Sequence, residues 1–169
     1  MIRGLNHLTL SVRDLGRSLD FYADLLEMKR RAVWNTGAYL SAGDLWLCLT
    51  LDARTRAAPL LEYTHAAFHV SERELLRLQE KLLVAGVSPW QDNRSEGASF
   101  YFLDPDGHKL ELHAGDLASR LRACRASPYA GMRFFDESAP GSAASPVRME
   151  SAQRARQRRH QRRKLFPKG

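Results

Sequence analysis

Asn6-His7-Leu8-Thr9-Leu10-Ser11-Val12 and Thr64-His65-Ala66-Ala67-Phe68-His69-Val70 decide the fold, because they open two repeats in the same way. The first alternates apolar and polar residues with the period of a half-buried strand. In both, a histidine stands five residues before a valine that ends the strand. A helix follows each. The first, from about Asp14 to Leu26, has Asp14 as N-cap and places Leu15, Leu19, Tyr22 and Leu26 on one face. The second, from about Glu72 to Ala85, begins with a Ser71/Glu74 capping box and stops at Gly86. Three strands then follow each helix. In the first repeat they are Lys29–Trp34, Ala38–Ser41 and Leu45–Leu51, with Gly43-Asp44 as a turn. In the second they are Ser88–Gln91, Ser99–Leu103 and Lys109–His113, with Asp104-Pro105-Asp106-Gly107 turning between the last two. The expected architecture is therefore α+β, with βαβββ modules at about 4–52 and 62–115 joined by 52–62. A short helix is expected over Leu117–Cys124, then a turn at Ser127–Gly131, and Met132–Phe135 as a last strand or packing arm.

Composition narrows the class. The chain has 169 residues and a net charge of +7, and all seven charges fall after Asp136, where nine Lys/Arg face two Glu. Residues 1–136 are thus a neutral domain, without the basic footprint of a nucleic-acid-binding surface. Residues 137–169 begin with a Ser/Ala/Pro/Gly-rich linker and continue into the basic run Arg154–Lys164, a composition expected to be disordered. Any nucleic-acid role would have to reside in that tail. No apolar run reaches the ~18 residues of a membrane helix, and the N-terminus lacks the features of a signal peptide. The expected location is the cytoplasm. Cys48 and Cys124 are too few for a disulfide framework.

Chemistry concentrates in the matched strands. His7 and His65 occupy equivalent positions, and Glu111 points away from Leu110 and Leu112, on the side of Lys109 and His113. Two histidines and one carboxylate on strands of a pseudo-symmetric sheet form an open three-ligand metal site, which leaves positions for substrate oxygens. Spacing alone does not select among His65, His69, His108 and His113. The segment Asn93-Arg94-Ser95-Glu96-Gly97-Ala98-Ser99 offers hydroxyls and backbone groups for an ion, and Tyr101 shares the strand face of Ser99.

These stretches resemble a known family. The segments 5–10, 37–40, 45–49, 63–65, 93–97, 99–108 and 128–134 together resemble the fosfomycin-resistance glutathione transferases of FosA type, in the glyoxalase I/bleomycin-resistance (vicinal oxygen chelate) superfamily. The resemblance spans roughly residues 1–136. It implies a domain-swapped homodimer in which paired modules form a cup-shaped mixed sheet around a metal, typically Mn2+. It implies metal ligation by His7 of one subunit and His65 and Glu111 of the other. It places Thr9 at the epoxide oxygen and Tyr39 near the thiol of glutathione. Trp46 and Cys48 become the pocket wall, and Arg94, Ser95, Ser99, Tyr101 and Arg120 the groups facing fosfomycin. The loop Asn93–Ser99 is implied to hold K+. One position departs from the pattern: Gln91, followed by Asp92, stands where the family usually has a lysine, so weaker phosphonate or thiol binding is expected. Thr36 and Thr50 fall where the thiol channel would run.

Other activities of the scaffold set the alternatives. A lactoylglutathione lyase would need a carboxylate ligand in the strand Leu45–Leu51, which has none. An extradiol dioxygenase shares the two-His, one-Glu set, but the hydroxyl-rich loop suits a phosphonate better than a catechol. A hydrolase would use water in place of the thiol, and a non-catalytic drug-binding protein would have no use for the metal set.

Overall fold

In a computed structural model, residues 1–135 are described, and the basic tail lies outside them. Met1–Ala130 form one compact unit. Its first module runs β1 (His7–Val12), α1 (Leu15–Leu19), β2 (Lys29–Trp34), β3 (Gly37–Ala42) and β4 (Leu45–Leu51). The second runs β5 (Ala66–His69), α2 (Glu72–Val84), β6 (Pro89–Gln91), β7 (Ala98–Leu103) and β8 (Lys109–Ala114), and α3 (Leu117–Ala126) follows it. The strands form two four-stranded sheets of equivalent order, β1-β4-β3-β2 and β5-β8-β7-β6. In each, the opening strand pairs in parallel with the closing strand and the other pairs are antiparallel. The internal repeat read from the two histidine strands is thus a repeat of topology.

Two expectations differ in detail. The first helix is α-helical only over Leu15–Leu19 and widens into a π-helical stretch, Asp20–Leu25, where Leu26 N–H donates to the carbonyl of Phe21 at 2.9 Å. The wider turn leaves Phe21 and Tyr22 both buried in the core. Met132–Phe135 form no strand.

One apolar core serves both modules, joining Val12, Phe21, Tyr22, Leu40, Leu47 and Leu49 to Leu75, Leu78, Leu82, Phe102, Leu110 and Leu112. Polar contacts fix how the modules meet. The Tyr22 hydroxyl donates to buried Asp104 at 2.8 Å. Arg13 and Arg17 bind the fully buried Asp106 at 3.0 and 2.7 Å. Arg77 and Lys81 of α2 bind Glu27, which follows the first helix at φ 61°. Asp104 also organises the β7–β8 turn, its Oδ1 accepting from the backbone of Asp106 and His108. These contacts point the helices and apolar sheet faces inward. Part of each sheet's opposite face is left to build a site.

Candidate active site

The second sheet carries a compact polar group. In the β5–β8–β7 register, Ala67 pairs with Glu111 and Glu111 with Tyr101, so the three share one face. His65 immediately precedes β5, and its Nε2 lies 2.9 Å from Glu111 Oε2. Its Nδ1 lies 3.0 Å from the carbonyl of Tyr63. A carbonyl only accepts, so Nδ1 carries a proton and donates. Nε2 then faces a carboxyl oxygen across a gap that needs a proton on one of the two groups or a cation shared by both. That is the arrangement of a metal-ligating histidine with its outer nitrogen anchored to backbone. The nitrogen and carboxylate donors suit a divalent metal such as Mn2+. Glu111 is only 5% exposed, far from the outward acid that strand alternation alone would suggest.

Around this pair lies a cavity of about 380 Å3 lined by Tyr63, His65, Tyr101, Glu111, Arg120 and Tyr129, among others. Arg120 donates to Ser95 Oγ at 3.1 Å. Its Nε stands 3.6 Å from Glu96 Oε2, too far for a hydrogen bond, and that buried oxygen has no other hydrogen-bond partner. Burial, and secondarily the charge of Glu111, raise the pKa of the Tyr101 hydroxyl, although its hydrogen bond with Ser95 opposes them. It therefore stays protonated and able to donate. The Asn93–Ser99 loop is closed on itself by Asn93 Nδ2 donating to the Gly97 carbonyl at 2.7 Å.

The first sheet carries the other expected residues. Thr9 and Tyr39 both pair with Cys48, and His7 pairs with Trp46, so all five share one face. The His7 and Trp46 rings lie 4.7 Å apart, Tyr39 and Trp46 5.1 Å, and Trp34 and Tyr39 4.8 Å. Cys48, on the same face, is buried, while His7 and Thr9 are exposed.

One chain therefore carries the three expected ligands on two separate sheets. His7 belongs to the first sheet, and His65 and Glu111 to the second. Among the described residues, no cluster of three or more His, Cys, Asp or Glu is placed to hold a metal. Ser95, Tyr101 and Arg120 do converge with His65 and Glu111, and Ser99 bonds Glu111 Oε1 at 2.6 Å. Arg94 is exposed and does not line the cavity. His108 is spent on structure, bonded to Arg56 and the Ser11 carbonyl, and His69 lines a separate groove beside Glu27 and Arg77. Gln91 donates to the Tyr63 hydroxyl at 3.1 Å. Residue reasoning missed Tyr63, whose signal was its position two residues before His65, and Tyr129, which read only as part of a turn.

Residues 4–112 match the Glyoxalase/Bleomycin resistance protein/Dioxygenase superfamily. The chain is 56% identical over 141 residues to the Glutathione transferase FosA of Serratia marcescens, covering 82% of this chain and 100% of that protein. It is 38% identical over 128 residues to the Metallothiol transferase FosB of Staphylococcus epidermidis, covering 72% and 90%. The crystal structure of the fosfomycin resistance protein FosX of Listeria monocytogenes, complexed with Mn(II) and sulfate, aligns with a TM-score of 0.61 at 31% identity, covering 73% and 98%. Sequence and topology agree: the chain belongs to the Glyoxalase/Bleomycin resistance protein/Dioxygenase superfamily, and within it to the family of the FosA and FosB thiol transferases.

Proposed function

We propose that the protein is a metal-dependent glutathione transferase that opens the epoxide of fosfomycin. The 56% identity to a FosA glutathione transferase across that protein's whole length carries the choice of reaction. The His65–Glu111 pair beside Ser95, Tyr101 and Arg120 supports it in this chain's own geometry. The site is completed between two copies, His7 coming from one protomer and His65 and Glu111 from its partner.

His7, His65 and Glu111 would hold a divalent metal, Mn2+ by preference, which when bound would supply Lewis-acid stabilisation for charge on the epoxide oxygen. The Arg120 guanidinium and the Ser95 and Tyr101 hydroxyls bind phosphonate oxygens and fix the orientation of the reacting carbon. Ser99 holds one oxygen of Glu111. The Asn93–Ser99 loop is the proposed K+ site, lending a second positive charge beside the anion. Glutathione enters along the aromatic face, where the Tyr39 hydroxyl donates to its sulfur and favours the thiolate, the thiol proton passing to solvent. The sulfur attacks an epoxide carbon; the C–S bond forms as the C–O bond breaks. The bonding pair leaves on oxygen, which the Thr9 hydroxyl meets as a donor, and the alkoxide takes a proton from solvent. Trp46 and Cys48 form the wall that keeps water from the sulfur.

The test is mass-spectrometric turnover of fosfomycin with Mn2+ and K+, comparing glutathione with no thiol. A glutathione adduct that disappears in His65→Ala is expected. Water addition alone would replace the transferase with a hydrolase. No turnover would overturn the assignment.

A further inference from the structure

His113 lies two residues beyond Glu111 on β8, and only 18% of its side chain is exposed. Its ring is held between two glycines. A Cβ on Gly97, whose φ is +83°, would stand 2.7 Å from His113 Cε1, and one on Gly115 would stand 2.6 Å from Nε2. Any side chain at either position would displace the ring. The clamp aims His113 Nδ1 at Ser99 Oγ, 2.8 Å away. That same hydroxyl lies 2.6 Å from Glu111 Oε1, while His113 Nδ1 itself is 3.5 Å from that oxygen. An ionised carboxylate only accepts, so Ser99 spends its one proton on Glu111 and must accept from His113. The polarity of the chain is thereby set: His113 Nδ1–H to Ser99 Oγ–H to Glu111 Oε1. The chain fixes Oε1, which leaves Oε2 directed at His65 Nε2.

We propose that His113 is a positioning residue that acts through Ser99 to hold the Glu111 carboxylate in its metal-ligating orientation. The proposal rests on the reading of Glu111 and His65 as metal ligands given above. Outer groups of this kind tune metal affinity by orienting ligands that they do not replace. The glycine pair shows why the arrangement is built: it admits an imidazole and constrains its rotation, so the Nδ1–H is presented to Ser99 before any metal arrives.

The experiment measures Mn2+ affinity in the full-length protein from the EPR signal of free Mn2+, with thermal melts alongside. His113→Phe keeps a flat aromatic ring, somewhat larger than imidazole, and removes the donor, so the thermal melts report any cost of fitting it. His113→Asn places an amide N–H where Nδ1–H was, with less bulk. His113→Phe is expected to weaken Mn2+ binding by about 10–100-fold. His113→Asn should stay within about threefold of the wild type, because the donor is retained. Ser99→Ala should reproduce the loss, and the double variant Ser99→Ala/His113→Phe should lose no more than the larger single change, as members of one chain do. Wild-type affinity in His113→Phe would overturn the proposal. So would equal loss in His113→Phe and His113→Asn, which would make His113 a spacer. If the wild type takes up no Mn2+, the ligand reading fails instead. The chain is then judged by 15N NMR of the metal-free protein: an Nδ1–H His113 sensitive to Ser99→Ala supports it, and an Nε2–H ring refutes it.

Discussion

The Gln91 side chain meets the candidate site through Tyr63. Its amide donates to the Tyr63 hydroxyl, and Tyr63 packs edge-on against His65 with ring centroids 5.1 Å apart. A neutral residue therefore stands one hydrogen bond from the cavity proposed for the phosphonate, whose guanidinium comes from Arg120. Gln91→Lys is expected to lower the KM for fosfomycin about fivefold with less change in kcat, the effect of roughly 1 kcal/mol from one more partly exposed charge. Steady-state kinetics on the two proteins would show it. Glu27 gives a second residue-scale prediction. Hydrogen bonds from Arg77, then Lys81, lower its pKa from the usual 4.5 to about 2. A carboxyl depressed on folding stabilises the fold above its unfolded pKa, and that contribution is lost as pH falls from about 4.5 to about 2. The group is well exposed, so Glu27→Gln should cost under ~1 kcal/mol at neutral pH. The gap in melting temperature between the two proteins should close as the solution is acidified through that window.

Between elements, the decisive contact is the buried Tyr22–Asp104 hydrogen bond, which ties the first helix to the β7–β8 turn. Burial, then the charge of Asp104, raises the pKa of the Tyr22 hydroxyl well above its ordinary value, so it stays a donor throughout the accessible range. Tyr22→Phe would leave Asp104 Oδ2 unpaired in the core, and about 1–3 kcal/mol of stability should be lost in denaturant titrations. Elements were the most legible part of the sequence. Strand alternation, the Ser71/Glu74 box and the Asp104–Gly107 turn are local signals, and local chemistry fixes them. The π-helical stretch after Leu19 was not legible, since Leu15, Leu19, Tyr22 and Leu26 fit an α-helical face equally well. It depends on packing Phe21 against Phe102, 6.2 Å away between ring centroids, which no local pattern encodes. The selection of His65 over His69 likewise depends on tertiary placement. His65 immediately precedes β5 and His69 ends it, but of the two only His65 reaches Glu111. The burial of Glu111 follows from the same placement, because the cavity residues that cover it come from β7, α3 and the loop between β6 and β7.

For the whole molecule, the central feature is that His7 lies in the first sheet while His65 and Glu111 meet at the second. Trp34, Tyr39 and Trp46 are each about two-fifths exposed on the face that carries His7 and Thr9. The three rings adjoin one another, Trp34 against Tyr39 and Tyr39 against Trp46, so they form one continuous aromatic patch. A two-fold dimer that sets this face against the His65–Glu111 face of a second copy would cover it and complete two equivalent sites. Residues 1–136 have no net charge, so no long-range repulsion opposes the pairing of two such bodies. The arrangement makes a prediction that no single-chain site could satisfy. Neither His7→Ala nor His65→Ala alone should form the glutathione adduct of fosfomycin. Unfolded together and refolded as a mixture, they should form heterodimers in which one of the two sites keeps all three ligands. Mass-spectrometric adduct formation by the mixture, with Mn2+ and glutathione, is the measurement to make. Random pairing predicts recovery to about one quarter of the wild-type rate. A mixture as inactive as its components, while the wild type is active, would contradict a site shared between chains.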